Sequence, residues 1–258
     1  MGGAERGEGK RKRQAAEAVA VARGGGTNRG VLAGIVIVVV LATVVGVGLF
    51  LQNRNKPADL PATIPVAATG PENRVTVQGD TVVTGSPEAP VTIDIYEDFL
   101  CPGCGGFEKL NHQRLAQAAA DNKVRVVYHP VAILDKRSDP VGYSTLAAGA
   151  ALCAAQAGVF PRFHDSLFAT QPAEGGPAWN SGQLQQLGRD LGAGDRFASC
   201  VQAGADQRIA TATDSAKRSI SGLRSDGRFG TPSVVINGKL VDISDQNWFD
   251  QALAGARR

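Results

Sequence analysis

Two cysteines separated by two residues, Cys101 and Cys104, are the residues of this sequence best placed to do chemistry. Before them, Val91, Ile93 and Ile95 alternate with residues that suit the opposite face of a sheet, which predicts a β-strand. After them the apolar residues recur near the helical period. The two thiols therefore lie where a strand gives way to a helix, and paired thiols of this kind are suited to disulfide exchange.

The start of the predicted helix favours the thiolate of Cys101. Pro102 suits the first helical position, because an N–H at that position has no partner within the helix. Cys101 then falls at or near the N-cap, where unpaired backbone N–H groups and the helix dipole stabilise an anion. The thiolate is the nucleophile in exchange and also the better leaving group. We therefore interpret Cys101 as the exposed attacking sulfur and Cys104 as the buried resolving one.

The charge distribution argues against a generic nucleic-acid-binding surface. The net charge is +3, but the basic excess lies before Val31, where seven Lys and Arg residues stand against three acidic ones. From Pro57 onward there are 18 basic and 21 acidic residues. The part of the chain expected to fold is therefore slightly acidic, and no nucleic acid is expected as a partner.

Three N-terminal segments precede the strand and helix patterns. Residues 1–30 are rich in Gly, Arg, Lys and Ala, which predicts disorder. Val31–Leu51 is uncharged and apolar, and as a helix rising about 1.5 Å per residue it reaches about 31 Å, enough to cross the hydrocarbon core. A cleavable signal peptide usually has a shorter apolar region. The basic tail should stay in the cytoplasm, so the C-terminal portion faces outward, beyond a Pro-rich linker at 52–73.

The remaining pattern is strand, helix, strand, then helices, then a hairpin and a last helix. Val124–Tyr128 is the second strand and completes a βαβ unit, which should be parallel and right-handed. Residues 138–226 carry helical patterns. Two short apolar runs then flank Asn237-Gly238, a pair that favours the type I′ turn of a hairpin.

This order and two motifs resemble a known family. Cys101-Pro102-Gly103-Cys104 after a strand, with Gly230-Thr231-Pro232 before a hairpin, is similar to the thioredoxin fold. The helical block between the two halves resembles the DsbA-like thiol-disulfide oxidoreductases of the bacterial cell envelope. The resemblance covers about residues 75–254 and implies an α/β thioredoxin fold (βαβ plus ββα) with an inserted helical domain. The expected domains are a basic tail at 1–30, a transmembrane helix at 31–51, a linker at 52–73, a thioredoxin-like domain at 74–137 and 227–258, and a helical domain at 138–226.

The resemblance also implies roles for four residues. Cys101 and Cys104 would be the redox pair, with Pro232 as a cis-proline opposite them. The surrounding structure must enforce that bond, because the cis form is the minority one. The backbone at Thr231 would then be an edge that pairs with an extended substrate beside Cys101. An ordinary trans turn is the alternative for Thr231-Pro232.

One position departs from the family pattern. Thioredoxins and several DsbA proteins carry a buried acid six residues before the first cysteine, where this sequence has Ile95. Glu97 and Asp98 are the nearest acids and are candidates to accept a proton from Cys104 during exchange. A solvated strand end is the alternative for both.

The remaining cysteines and the histidines are interpreted as structural. Cys153 and Cys200 fall on separate predicted helices, and we prefer a structural disulfide over a second redox couple or two free buried thiols. Its long loop gives about 4 kcal/mol of stabilisation in the chain-entropy model. His112, His129 and His164 form no pair at ligand spacing, and a structural zinc site requires four ligands, so no metal is expected.

Together these features predict a membrane-anchored, extracytoplasmic protein disulfide oxidoreductase that needs no cofactor. Its expected partners are unfolded or reduced secreted proteins and, by family resemblance, a DsbB-like or vitamin K epoxide reductase-like membrane protein that reoxidises it. A disulfide-forming oxidase is the first interpretation. A reductase or isomerase, and a non-catalytic membrane-anchored chaperone or interaction domain, are the alternatives. No dimerisation domain is evident before the fold, which favours a monomer.

Overall fold

The computed structural model describes residues 43, 46–47, 60–68, 70–71 and 73–255. The chain divides into two units, Met1–Lys56 and Pro57–Arg258. The predicted tail at 1–30 lies outside the described residues, as does the predicted membrane span at 31–51 apart from residues 43, 46 and 47, which are helical. Within the described part of the chain, no helix combines the length and the apolar composition needed to cross a bilayer.

Six strands form a mixed sheet at the centre of the second unit. They are β1 (Val75–Gln78), β2 (Thr81–Gly85), β3 (Val91–Glu97), β4 (Val124–Pro130), β5 (Ser233–Ile236) and β6 (Lys239–Leu240). Their order in the sheet is β1-β2-β4-β3-β5-β6. β3 and β4 are parallel, and the other neighbouring pairs are antiparallel. Because β3 lies between β4 and β5, it is an interior strand. The residues that follow β3 therefore leave the sheet near its middle.

Helices connect and cover these strands. They are α1 (Pro102–Ala120), α2 (Tyr143–Gln156), α3 (Phe160–Ala169), α4 (Ser181–Asp190), α5 (Asp195–Ala203), α6 (Asp206–Leu223) and α7 (Trp248–Gly255). α1 joins β3 to β4 and completes the βαβ unit, while β5, β6 and α7 form the ββα unit. α2 to α6 follow β4 and precede β5, and we call them the helical block. The predicted order of elements is confirmed.

The central strand of the sheet forms where apolar residues alternate with other residues in the sequence. Val91, Ile93 and Ile95 of β3 are fully buried and belong to the same apolar core as Leu115 of α1. Alternating side chains of a strand point to opposite faces, so these three residues share the face that α1 covers. The predicted strand at the centre of the fold is therefore present, with the predicted face buried.

The hairpin of β5 and β6 turns at Asn237 and Gly238. Both residues have positive φ, 48° and 78°, and they connect the paired residues Ile236 and Lys239. A two-residue turn with both φ values positive is the type I′ turn, for which Asn-Gly is the favoured pair.

Close helix packing organises the helical block around α2. A Cβ built on Gly149 of α2 would lie 2.9 Å from the Cβ of Ala205, the residue before α6, so a larger residue at 149 would push the two elements apart. A disulfide between Cys153 and Cys200 joins α2 to α5, with the Cα atoms 5.9 Å apart. The alternative of two free thiols therefore does not hold in this structure.

Part of the predicted linker at 52–73 packs against the helical block. Ile64 is buried in the core, and the amide of Gln183 on α4 donates to the carbonyl of Ala62 at 3.1 Å. The N–H of Ala67 donates to the hydroxyl of Ser166 on α3 at 3.0 Å. A Pro-rich composition predicts an extended segment but not the surface on which it lies, and so the sequence missed this contact.

Candidate active site

The paired cysteines lie at the start of α1, directly after β3. Cys101 is the N-cap residue, with extended backbone (φ −72°, ψ 116°), and Pro102 is in the first turn of α1. The carbonyl of Cys101 accepts the N–H of Gly105 at 3.1 Å, which begins the helical hydrogen-bond pattern. Both thiols are free. The position of Pro102, which has no N–H to lose, accounts for the start of the helix at this residue.

The two sulfurs differ in exposure less than the sequence suggested. Cys101 is 9% exposed and Cys104 is 1% exposed. The expectation of an exposed attacking sulfur is therefore wrong in degree, because the loop that contains Thr231 and Pro232 lies over Cys101. Cys101 is still the more accessible of the two, and Cys104 is buried as expected.

Hydrogen bonding lowers the pKa of Cys101 to about 6. The largest cause is a hydrogen bond from the thiol of Cys104, which outweighs the opposing effect of burial. The Thr231 side chain and the backbone N–H groups of Cys104 and Gly103 add smaller contributions. The helix start that the sequence analysis emphasised thus contributes, but the second thiol contributes more.

Cys104 behaves in the opposite way. Burial raises its pKa well above the ordinary value, and the hydrogen bond to the Cys101 thiolate and the charge of that thiolate raise it further. At neutral pH the reduced pair therefore carries one negative charge, on Cys101, and one proton, on Cys104. Cys101 is therefore the nucleophilic sulfur of the reduced pair, and Cys104 remains an unreactive thiol.

The loop before β5 faces Cys101. The Thr231–Pro232 peptide bond is cis, so the alternative of a trans turn does not describe this structure. The carbonyl oxygen of Thr231 lies 3.3 Å from the sulfur of Cys101. A Cβ built on Gly103 would lie 3.2 Å from Cδ of Pro232 and 3.6 Å from the same sulfur. Glycine at 103 therefore lets the loop approach the cysteine pair closely.

Gln171, which follows α3, holds the cysteine loop from the other side. Its side-chain amide donates to the carbonyl of Phe99 at 3.1 Å and to the carbonyl of Cys101 at 2.9 Å. These carbonyls belong to the connection between β3 and α1, so one side chain of the helical block fixes the geometry of the redox loop. The sequence analysis missed Gln171, because nothing local in the sequence connects residues 70 positions apart.

Asp98 is a buried anchor for the end of β3. Glu97 and Asp98 are 1% and 0% exposed, so the interpretation of both as a solvated strand end is wrong. The two carboxylate oxygens of Asp98 accept four hydrogen bonds of 2.7–3.0 Å. The donors are the N–H groups of Leu100, Ile133 and Leu134 and the hydroxyl of Ser144. Burial raises the pKa of Asp98 against the opposing effect of these bonds, and its lone pairs are already used to position the loops around the cysteines.

Glu97 pairs with a histidine of the helical block. Its Oε1 lies 2.9 Å from Nε2 of His164, and both side chains are buried. Burial raises the pKa of Glu97, against the opposing charge and hydrogen bond of His164. A role for Glu97 as proton acceptor for Cys104 stays a prediction. No local pattern in the sequence indicates its partner, which is 67 residues away.

These features define a class of protein. A thioredoxin fold with a Cys-x-x-Cys pair at the start of α1, a cis-proline opposite the pair and a helical block between β4 and β5 is the arrangement of a DsbA-like thiol-disulfide oxidoreductase. The chain belongs to the thioredoxin family, since the family model described as Thioredoxin matches residues 77–254.

Solved structures of thiol-disulfide oxidoreductases have a similar fold. The reduced form of DsbA from Mycobacterium tuberculosis is 28% identical and has a TM-score of 0.54; the match covers 69% of this chain and 100% of that one. MdbA from Corynebacterium matruchotii, a thiol-disulfide oxidoreductase, is 26% identical with a TM-score of 0.59, over 68% of this chain and 88% of that one.

Curated relatives are much longer proteins, each of which matches part of this chain. The serine/threonine-protein kinase PknE of Mycobacterium tuberculosis is 33% identical over 178 residues, which is 67% of this chain and 31% of PknE. The Na(+)/H(+) antiporter NhaA 1 of Salinispora arenicola is 33% identical over 157 residues, 61% of this chain and 22% of that protein. The chain thus spans less than a third of the length of these relatives.

Proposed function

We propose that this protein is a membrane-anchored, extracytoplasmic disulfide oxidase that acts on reduced secreted or envelope proteins through Cys101 and Cys104. The observation that carries the proposal is the low pKa of Cys101, about 6, beside a buried and protonated Cys104. Similarity to DsbA and MdbA supports the same chemistry.

The proposed reaction starts from the Cys101–Cys104 disulfide. A substrate thiolate attacks the sulfur of Cys101, the bond to Cys104 breaks, and Cys104 leaves and takes up a proton. A second substrate thiolate then attacks the substrate sulfur of the mixed disulfide and releases Cys101 as a thiolate. The substrate loses two electrons and gains a disulfide, and the protein gains the two electrons as a dithiol. The second step is fast because Cys101 is a good leaving group.

The loop at Thr231 is the proposed substrate edge. Pro232 has no N–H, and the cis bond turns the backbone of Thr231 toward Cys101, where its carbonyl lies 3.3 Å from the sulfur. An extended substrate segment that pairs with this backbone would place its own cysteine near Cys101. Recognition through backbone groups suits an enzyme that acts on many unfolded sequences.

The stability of the reduced form supports the proposed oxidase direction. A thiolate at Cys101 that is stabilised in the folded protein lowers the free energy of the dithiol relative to the disulfide, so the disulfide becomes the better oxidant. This favours the oxidase over the reductase or isomerase, the direction that the sequence left open. The disulfide Cys153–Cys200 supports an oxidising compartment, since such bonds persist mainly outside the cytosol.

The proposed location rests on the N-terminal sequence. The apolar run Val31–Leu51 would anchor the protein, with the basic tail 1–30 in the cytoplasm and the thioredoxin-like and helical domains outside. A membrane protein of the DsbB or vitamin K epoxide reductase type would reoxidise the dithiol, and the protein would act as a monomer. Cysteine labelling of intact cells with a membrane-impermeant maleimide, at a cysteine placed in the linker, tests this orientation.

A single-turnover assay tests the activity without a reoxidising partner. The oxidised full-length protein is mixed in equimolar amount with a reduced, unfolded test protein, the mixture is quenched with an alkylating reagent, and the free thiols of the test protein alone are counted by mass spectrometry. Wild type should transfer one disulfide, Cys101→Ser none, and the double variant Cys153→Ala/Cys200→Ala as much as wild type. If Cys101→Ser is fully active, the proposed chemistry is wrong. If the wild type binds the test protein without oxidising it, the non-catalytic chaperone is the better description.

A further inference from the structure

A cluster of histidine and glutamate side chains lies between α1 and α3. Glu108 and His112 are four residues apart on α1 and therefore share a face, and His164 of α3 packs toward them, with the two imidazole ring centres 6.2 Å apart. One ligand atom from each of Glu108, His112 and His164 can be chosen so that all three lie within 4.8 Å of one another. We call these three residues the His-Glu cluster.

The carboxylate of Glu108 lacks hydrogen-bond partners. Its side chain is only 4% exposed, and neither of its oxygens accepts a hydrogen bond. Nδ1 of His112 lies 3.5 Å from one of these oxygens, and that nitrogen also lacks a hydrogen-bond partner. A buried carboxylate without a partner is costly, because transfer from water is not compensated. The cluster therefore contains an acceptor that is aimed at a ligand the protein itself does not supply.

The surrounding charges also favour a cation. Two further carboxylates, buried Glu97 and half-buried Asp165, contact the histidines. Oε1 of Glu97 lies 2.9 Å from His164, and Oδ1 of Asp165 lies 3.2 Å from Nε2 of His112 and 3.5 Å from Nδ1 of His164. Metal ligation requires both imidazoles to be neutral, and three carboxylates then face two uncharged rings. A divalent cation between these groups would offset most of this negative charge in a buried region, where charge interactions are strong.

Solvent reaches the cluster from two sides. His112, His164 and Asp165 line a cleft of about 590 Å³ together with Gly70 and Pro71. The same three residues, with Glu108, also line a second cleft of about 540 Å³. An ion can therefore enter without unfolding of the helices, and a water molecule has room to complete the coordination.

We propose that Glu108, His112 and His164 bind a divalent transition-metal ion of the zinc type. Two imidazole nitrogens and one carboxylate oxygen form a ligand set that zinc uses in three-ligand sites, with a fourth position open to water. Imidazole ligands disfavour Mg²⁺ and Ca²⁺, which prefer oxygen. Glu97 and Asp165 orient the two imidazoles through the carboxylate–histidine contacts that typically surround metal ligands.

This site is separate from the redox pair and does not depend on the proposed oxidase activity. Glu108 and His112 follow Cys104 by four and eight residues on α1, so the ion would lie roughly 6–12 Å along the helix from that residue. The sequence analysis predicted no metal site because the histidines form no pair at ligand spacing along the chain. That argument fails here because α1 and α3 bring distant ligands together.

Zinc titration of the untagged, full-length protein tests the proposal. The protein is stripped of metal and oxidised, so that Cys101 and Cys104 form a disulfide and no thiol competes for the ion. Competition with a fluorescent zinc chelator should show one Zn²⁺ bound per chain, with no displacement by millimolar Mg²⁺ or Ca²⁺. His112→Ala, at a side chain that is 27% exposed, should weaken binding by more than about tenfold, since even outer partners of metal ligands contribute that much.

A matched control comes from the same protein. His129 lies 2.9 Å from a carboxylate oxygen of Asp94, outside the cluster, and His129→Ala should bind Zn²⁺ as wild type does. Glu108→Gln, which preserves volume, should also weaken binding, and circular dichroism shows whether each variant is folded. If both cluster variants fail to fold, X-ray absorption of zinc-loaded wild type decides between a shell with two imidazoles and one without. No stoichiometric zinc in wild type, unchanged affinity in folded cluster variants, or a shell without imidazole would each overturn the proposal.

Discussion

Replacement of Cys104 by alanine should raise the pKa of Cys101, whereas replacement by serine should leave it near 6. The hydrogen bond from the Cys104 thiol is the largest contribution to the low pKa of Cys101. A hydrogen bond to a charged group contributes about 1.5–3 kcal/mol, and about 1.4 kcal/mol corresponds to one pKa unit. Loss of the donor should therefore raise the pKa of Cys101 to between about 7 and 8. Serine retains an O–H donor at the same place.

The rate of alkylation against pH measures this pKa directly. In both variants Cys101 is the sole free thiol, because the chain has four cysteines and Cys153 and Cys200 are bonded to each other. Reaction with iodoacetamide, followed by mass spectrometry from pH 4 to 10, gives a midpoint for each variant. The midpoint is the quantity to compare, since a thiolate of higher pKa is intrinsically more nucleophilic and partly offsets its lower population at one pH.

The two midpoints distinguish two sources of thiolate stabilisation. The same variants in denaturant should both show a midpoint near the ordinary value of about 8.5. If alanine and serine at position 104 give the same midpoint near 6 in the folded protein, the second thiol is not the main cause. The backbone N–H groups at the start of α1 and the Thr231 side chain would then carry the effect, and the reasoning from the thiol pair would be refuted.

Three further predictions concern the pH dependence of the reduction potential, the Cys153–Cys200 disulfide and the side chain of Gln171. The reduction potential of the Cys101–Cys104 pair should fall by about 60 mV per pH unit below pH 6 and by about 30 mV per unit above it, because one proton fewer is taken up once Cys101 stays ionised. Equilibration with glutathione buffers between pH 4.5 and 8.5 would show this change of slope. A single slope through pH 6 would contradict the pKa of about 6 for Cys101. Since this pKa is lower in the folded than in the unfolded chain, its stabilisation of the reduced protein is complete above about pH 8.5 and is lost as the pH falls through about 6. Removal of the helical-block disulfide in Cys153→Ala/Cys200→Ala should lower the free energy of unfolding by about 4 kcal/mol, measured by urea titration, with no effect on the single-turnover oxidation. Gln171→Ala should lower the free energy of unfolding by about 1–3 kcal/mol, because two hydrogen bonds to the carbonyls of Phe99 and Cys101 are lost. Amide hydrogen exchange should increase at the start of α1. An unchanged denaturation midpoint would show that Gln171 does not hold the cysteine loop.

Local chemistry made the centre of the fold predictable. The strand before Cys101, the helix that begins at Pro102 and the turn at Asn237-Gly238 each depend on neighbours within a few residues. Period and turn preference act at that range. The same reasoning predicted the helix after Cys104 but did not identify all of its buried face, because Leu110, one of the apolar residues of α1, is 80% exposed. The helical period of apolar residues identifies a buried helix face only when the surface that packs against that face is known.

Long-range packing made the remainder unpredictable. Glu97 and Asp98 at the end of β3, the cysteine loop held by Gln171, and the His-Glu cluster all depend on contacts with residues far along the chain. No sequence pattern connects elements that far apart in one chain. The signal that was available was chemical: His164 is one of three histidines in 258 residues, and it lies within residues 138–226, for which only helices were predicted.

The sulfur of Cys101 and the carbonyl of Thr231 that touches it are 130 residues apart in the chain. The Cys-Pro-Gly-Cys segment is therefore synthesised long before the backbone that covers it, and any C-terminal truncation that removes Thr231 would leave an uncovered dithiol. For engineering, the Cys-Pro-Gly-Cys segment cannot be transplanted alone. A chimera has to exchange everything from the first cysteine to the closing hairpin, including the whole helical block.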